Sequence, residues 1–429
     1  MTDTTAATAA TATTTPSALP EHLRTALEDA AEWQLPLYED LHRHPELSMR
    51  EARTRGVIEG RLRELGFEVQ EIGGGVVGVL ANGEGRTVLM RADFDGLPVK
   101  EATGLDYAST DTQVDDAGAV QPVMHACGHD THVTAALGAA AVLAENREDW
   151  SGTYIALFQP GEEIAAGARS MVEDGLVDKV PAPDACLGQH VLATPVSGRV
   201  ALTAGPAMSS AVSMRIVVHG AGSHGSMPHL SVDPVVLAAA IVTRIQTLVA
   251  REIAPGDFGV VTVGSLHAGT SANIIPDRAT MQLNFRAYDE QVLSQLVQGV
   301  ERIVRAECEA ARSPREPEFE LFHRFPLTDN DEQVTARVRE AMIAQLGAER
   351  VEHMDPVTAS EDFSMIPDAF GAPYCYWGFG GFVEGRETFP NHSPYFAPDP
   401  QPTLSTGTEA ALTAILAMLA ADGDDATEG

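Results

Sequence analysis

The feature that most restricts what this chain can fold into is a change of rhythm near residue 206. Before it, short apolar runs alternate with helical segments. EHLRTALEDAAEWQLPLYEDLHRHPE spaces its apolar residues as a helix does from Glu21 and stops at Pro45; Glu51–Leu65 does the same until Gly66. The runs Gly75–Leu80, Thr87–Ala92, Thr153–Phe158 and Ala185–Val191 have strand length, and the Ala-rich stretch Thr131–Asn146 reads as a helix between them. Strands separated by helices predict an α/β fold with a mostly parallel sheet covered on both faces.

After residue 206 the order becomes strand Ala211–His219, helix Asp233–Val249, strands Phe258–Ala268 and Arg278–Tyr288, helix Asp289–Ala311 and strand Glu318–Arg324. Asp233 is placed as N-cap, with Pro234 at the first helical position. This βαββαβ order is that of ferredoxin-like domains. Sheet-and-helix patterning resumes after about Pro326, so the block reads as an insertion. The expected division is a disordered tail 1–20, a catalytic domain in two parts (21–205 and 326–422), an inserted lid or dimerisation domain 206–325, and a disordered tail 423–429.

Charge narrows the partners. With 28 basic and 61 acidic residues the net charge is −33. Such a surface repels nucleic acid and anionic membranes, so neither is an expected partner. An anionic substrate would need a local cation inside its site. The four cysteines, Cys127, Cys186, Cys308 and Cys375, are too few and too dispersed for a disulfide framework, which favours a reducing compartment. Met1–Pro20 lacks Lys, Arg and a strong apolar core, unlike a signal peptide. No apolar run approaches a membrane span. A cytoplasmic protein is expected.

The chemistry is concentrated in short segments. His125-Ala126-Cys127-Gly128-His129-Asp130-Thr131-His132 packs imidazoles, a thiol and a carboxylate just before a helix. Imidazole and thiolate are preferred ligands of zinc-like ions. Read as an extended loop, it points Cys127 and His129 the same way; the bland alternative is a polar loop with a buried cysteine. Gln159-Pro160-Gly161-Glu162-Glu163 follows an apolar strand, where open α/β sheets place their sites. Two adjacent carboxylates there can divide the work, one binding metal and its neighbour accepting a proton. His190 and His392 lie in Gly188-Gln189-His190 and Pro390-Asn391-His392-Ser393-Pro394. Either could be solvated alone, or both could complete a ligand set. Asp93 and Asp95 end a strand and can accept a hydrogen bond from the far nitrogen of a metal-bound histidine. In the insertion, His224 and Asn273 could stabilise an oxyanion. Arg286 could bind a substrate carboxylate. Met208 and Tyr374–Phe382 are candidates for an apolar wall, or core.

Taken together, these motifs resemble the aminoacylase and carboxypeptidase-G type metallohydrolases, within them the branch of hippurate hydrolase, indoleacetyl-amino acid hydrolase and N-acyl-amino acid amidohydrolases. RADFDGLPV, HACGHDTH, QPGEE, GQHV, SHGSMPH, SANIIPD, SEDFS and NHSPYF occur in the expected order, and the likeness runs from about Leu41 (LHRHPELS) to Phe396. The resemblance implies two divalent ions per subunit, zinc or manganese, with cobalt or nickel as further candidates. It implies that Cys127 bridges them, that His129 and Glu163 complete one shell, and that His190 and His392 complete the other. Glu162 matches the general base and His224 the lid histidine that polarises the scissile carbonyl. Asn273 and Arg286 match positions near the substrate carboxylate. Asp93-Phe94-Asp95 and Cys127 stand where the wider family has His-x-Asp and a bridging Asp, which leaves the metal open.

The expected function is metal-dependent hydrolysis of N-acyl amino acids to a carboxylic acid and a free amino acid, by a homodimer or higher oligomer. The alternative is a dipeptidase or carboxypeptidase. A thiol hydrolase with Cys127 as nucleophile leaves Glu163, His190 and His392 unexplained. A degenerate binding protein is disfavoured because Glu162 and His392 are both present.

Overall fold

Eight strands form the main sheet of the computed structural model, which describes residues 18–420. The expected tails lie outside this range, apart from residues 18–20. In spatial order the strands are Glu68–Ile72, Gly75–Asn82, Gly152–Gln159, Thr87–Asp93, Ala185–Val196, Tyr374–Phe382, Val200–Leu202 and Val351–His353. The four central strands are mutually parallel, while the Glu68–Ile72 edge is antiparallel. This is the mixed α/β arrangement with a large, mostly parallel sheet that the strand–helix alternation predicts.

One helix shows why the sequence folds this way. His129–Glu145 is buried along nearly its whole length. Its alanines keep it thin, so the Glu21–Arg43 and Pro400–Leu419 helices close over it. A helix apolar all round belongs inside. Its first residue stands at the carboxyl end of the parallel strands, where Asp93, Gln159 and His190 also lie.

Residues 210–325 build a second, wholly antiparallel sheet in the order Gly259–Ala268, Arg278–Ala287, Ser210–His219, Glu318–Phe325. Its core is separate from that of the main sheet. Met214, Ile216 and Val218 pack with Leu237, Ile241 and Ile245 of the Pro234–Arg251 helix and with Leu296 and Val300 of the Glu290–Ala310 helix. Asp233 accepts from the N–H groups of Val235 (2.8 Å) and Val236 (3.4 Å), as its N-cap placement requires.

One expectation is corrected and one open reading is decided. The Pro234–Arg251 helix, 18 residues with mean hydropathy 1.4, is long and apolar enough to cross a membrane by length and composition. Its apolar side packs on the second sheet instead. Tyr374–Phe382 is buried at every residue and Met208 is buried too, so both belong to the core and not to an apolar wall. Met208 pairs with Val357, and Ser209 donates its N–H to the Val357 and Ala359 carbonyls, so segment 356–360 lies between the two sheets.

Candidate metal centre

Cys127 and His129 are not on an extended loop. His125–Gly128 is a turn, closed by the Gly128 N–H on the His125 carbonyl at 3.2 Å, and His129 opens the helix. Gly128 has φ +81, and a Cβ there would meet Val191 Cγ1 at 2.4 Å. Only glycine satisfies both conditions, so the turn presses the Cys127 and His129 side chains toward the strand ends.

The donor atoms gather in triads, each within 4.8 Å internally: Cys127 with His129 and His190, and Cys127 with Glu163 and His392. Cys127 is common to both. A further group joins His129 with Glu162 and Glu163, the pairing the family resemblance implies, so the donor geometry admits both divisions. His129 Nε2 and Glu163 Oε1 are buried, have no hydrogen-bond partner among the described residues, and lie 3.9 Å apart. Buried polar atoms are seldom left unpaired. A set of thiolate, imidazole and carboxylate donors fits divalent zinc-like ions, so the residues fit the implied pair of ions.

Hydrogen bonds aim the imidazoles. His190 Nδ1 lies 2.7 Å from the Val191 carbonyl and must carry the hydrogen, which leaves the Nε2 lone pair facing Cys127 Sγ at 3.4 Å. His129 Nδ1 is 3.1 Å from Asp95 Oδ1, which frees its Nε2 in the same way. His392 has φ +70, and its N–H donates to the Ala126 carbonyl at 2.7 Å. Its Nε2 is 3.3 Å from Glu163 Oε2, and Cys127 and Glu163 raise its pKa to about 10. Anions that attract a proton there also attract a cation.

Other expectations change. Asp93 accepts from His132 Nδ1 (2.5 Å) and Arg91 Nη1 (2.9 Å), whereas its Oδ2 is 3.5 Å from His129 Nε2. Burial opposes its charge, but Arg91, His129 and His132 hold its carboxyl well below the usual range. His132 Nε2 accepts the Val191 N–H at 2.8 Å, so both its nitrogens are used in supporting the structure. Glu162 is buried beside Glu163; burial holds its carboxyl well above the usual range, and Glu361, Glu163 and Asp362 push the same way.

Arg91, Glu361 and Asp362 are participants that sequence reasoning missed. The Arg91 guanidinium is fully buried against Gln159 Oε1 (2.9 Å), Asp93 and Glu361. An oxygen of Glu361 lies within 4.8 Å of Glu162 and Asp93 oxygens. Gln159 Nε2 donates to Asp362 Oδ1 at 2.5 Å. An arginine inside an apolar strand run was the available signal, since such a charge must have a partner.

The insertion's residues stand apart. His224 is exposed, pairs with Ile274 across a two-stranded ladder, and its Nδ1 is 2.7 Å from Ser226 Oγ. It lines a cavity with Gly222, Thr270 and Ile275 that contains none of the Cys127 cluster. Asn273 is exposed, and its carbonyl accepts the Gly225 N–H at 2.8 Å. Arg286 is already engaged with the Thr358 carbonyl (2.6 Å), Ser360 Oγ (3.0 Å) and Asn284 Oδ1 (3.1 Å).

The fold and the doubled donor set define an α/β metallohydrolase-type chain. It belongs to peptidase family M20/M25/M40, whose family model matches residues 89–417. It is 36% identical over 387 residues to thermostable carboxypeptidase 2 of Saccharolobus solfataricus, covering 89% of this chain and 94% of the relative. It is 33% identical over 344 residues to N-acetyl-L-cysteine deacetylase of Bacillus subtilis, covering 80% and 79%. The Bacillus subtilis YXEP protein, a dinuclear metal-binding peptidase of the M20 family, superposes with TM-score 0.74 at 27% identity, covering 91% of this chain and 99% of that one.

Proposed function

We propose that this protein is a metal-dependent amidohydrolase that cleaves N-acyl amino acids to a carboxylic acid and a free amino acid. The observation that carries the reading is the pair of donor triads sharing Cys127, with Glu162 beside them. Cys127, His129 and His190 would hold one divalent ion, and Cys127, Glu163 and His392 the other. Zinc or manganese suits this set, with cobalt or nickel also accepted. Bound ions supply Lewis acidity to the amide carbonyl and to the attacking water. Glu162 takes the proton from that water and returns it to the leaving amine. Asp95 orients His129, and Asp93 fixes His132.

His224 hydrogen-bonds the carbonyl oxygen as negative charge develops on it. Because the cavity it lines contains none of the Cys127 cluster, this role calls for closure of residues 206–325 as a lid or for a second copy. We place it in a homodimer or higher oligomer formed through that domain. The family resemblance assigns Asn273 and Arg286 to the substrate carboxylate; Arg286 serves there only if it releases segment 358–360. Buried free cysteines at all four positions support a cytoplasmic location.

Likeness to a carboxypeptidase favours a second reading, hydrolysis of short peptides by the same centre. Rates on N-acetyl, N-benzoyl and long-chain N-acyl amino acids, measured beside dipeptides, separate the two. Glu162→Gln tests the mechanism: turnover should fall by at least about a hundredfold, as expected for losing a general base, with metal content unchanged. Near-normal turnover in that variant refutes the assignment.

A further inference from the structure

The segment LHRHPELS carries no assigned role, yet it reaches the metal centre from behind. Asp95 is the contact. This buried carboxylate accepts from His129 Nδ1 on Oδ1 (3.1 Å), and on Oδ2 from the Glu163 backbone N–H (3.1 Å) and the Ser48 hydroxyl (2.6 Å). Of the two triads that share Cys127, one contains His129 and the other Glu163, and a further group joins these two residues with Glu162. One carboxylate therefore fixes a member of each.

Ser48 is itself firmly placed. Leu47 bridges Gly96, and the Gly96 N–H donates to the Glu46 carbonyl at 2.7 Å. Glu46 accepts the N–H groups of Arg53 (3.0 Å) and Thr54 (2.8 Å) at the start of the Ala52–Glu64 helix. Glu51 accepts the N–H groups of Met49 and Gly161, both at 2.8 Å, which ties the same segment to the turn that carries Glu162 and Glu163. A rigid segment thus presents one hydroxyl to one carboxylate oxygen.

We propose that Ser48 is a positioning residue that, by orienting Asp95, couples the two ion subsites so that both tighten or loosen together. The proposal rests on the two-ion reading above. Partners behind the ligands commonly change metal affinity by about ten- to a hundredfold.

The test is calorimetric titration of the chelator-stripped full-length protein with Mn²⁺, and with Zn²⁺ against a competing chelator. Ser48→Ala should weaken both binding steps by roughly ten- to a hundredfold, while Ser48→Thr, which keeps the hydroxyl, stays close to the parent. Asp95→Asn should loosen both steps at least as much. The metal-free unfolding midpoint, recorded beside each titration, should not move. A change confined to one ion, no change, or a Ser48→Thr protein as weak as Ser48→Ala overturns the coupling. If the parent protein takes up no pair of ions, the amidohydrolase reading fails instead.

Discussion

Arg91 and Glu361 form a doubly hydrogen-bonded pair with essentially no exposure to solvent. Nη2 donates to Oε1 at 2.6 Å and Nη1 to Oε2 at 3.3 Å. Tyr376 Oη donates to Oε2 at 2.6 Å and the Phe363 N–H to Oε1 at 3.0 Å, so Glu361 is fully satisfied as an anion. Removing the cation would strand Glu361 and Asp93 as buried charges. Arg91→Met is expected to cost about 3–5 kcal/mol of stability. Chemical unfolding of the metal-free protein measures it, and a loss below about 1 kcal/mol, the scale of a surface pair, contradicts the network described.

His42 sets a pH limit on stability. Its Nδ1 lies 2.6 Å from Asp130 Oδ2 and its Nε2 3.1 Å from Glu101 Oε1, so both nitrogens need a hydrogen. Burial opposes the charge, but the bonds to Asp130 and Glu101 outweigh it and raise the pKa from 6.5 to about 9. The folded state therefore holds this proton more tightly than the unfolded chain. Its contribution is fully present below about pH 6.5 and is lost as pH rises through about 9. That shift corresponds to roughly 3 kcal/mol. Unfolding free energy should fall between pH 6.5 and 9.5, and should fall less in His42→Gln; equal slopes reject the assignment.

Cys127→Asp separates metal chemistry from thiol chemistry. Aspartate can still hold an ion but cannot form a thioester. Metal-dependent turnover should survive, reduced. Complete loss of turnover with both ions still bound would favour the cysteine as nucleophile.

Gly128→Ala combines a positive φ with a Cβ 2.4 Å from Val191 Cγ1. Backbone strain alone is worth about 1–3 kcal/mol, and relief requires moving the Cys127 turn. Lower unfolding midpoint and lower metal content are expected together. A protein unchanged in both would show that the turn is softer than its packing implies.

His224 can be located by complementation. Mixing inactive Glu162→Gln and His224→Ala proteins under subunit exchange should restore part of the activity if each site borrows His224 from a second copy. No recovery, with exchange verified by mass, places His224 in its own chain's site.

Local signals were legible in the chain itself. Asp233 caps its helix because the cap depends on two or three neighbouring N–H groups. The strand and helix order of residues 210–325 follows from periods of about 2 and 3.6 residues. His125–His132 marked a chemical centre because its side chains are consecutive. Pairings across long sequence gaps were not legible. Three histidines in one octapeptide look equivalent, yet only His129 joins Cys127 in a donor triad; His125 has both nitrogens buried without a hydrogen-bond partner among the described residues but belongs to none of the candidate ligand groups. His132 is occupied by Asp93 and Val191, and His125 is a buried histidine whose pKa burial lowers to about 4.

The sequence by itself determined which residues could bind a cation and which local elements carry them, because side-chain chemistry and short-range periodicity need no distant partner. Only the tertiary structure decided that donors distant in the chain converge on Cys127, that Arg286 is engaged by segment 358–360, and that Ser48 stands behind Asp95. Those relations depend on chain-distant groups meeting in a dry interior, where every polar atom must find a specific partner.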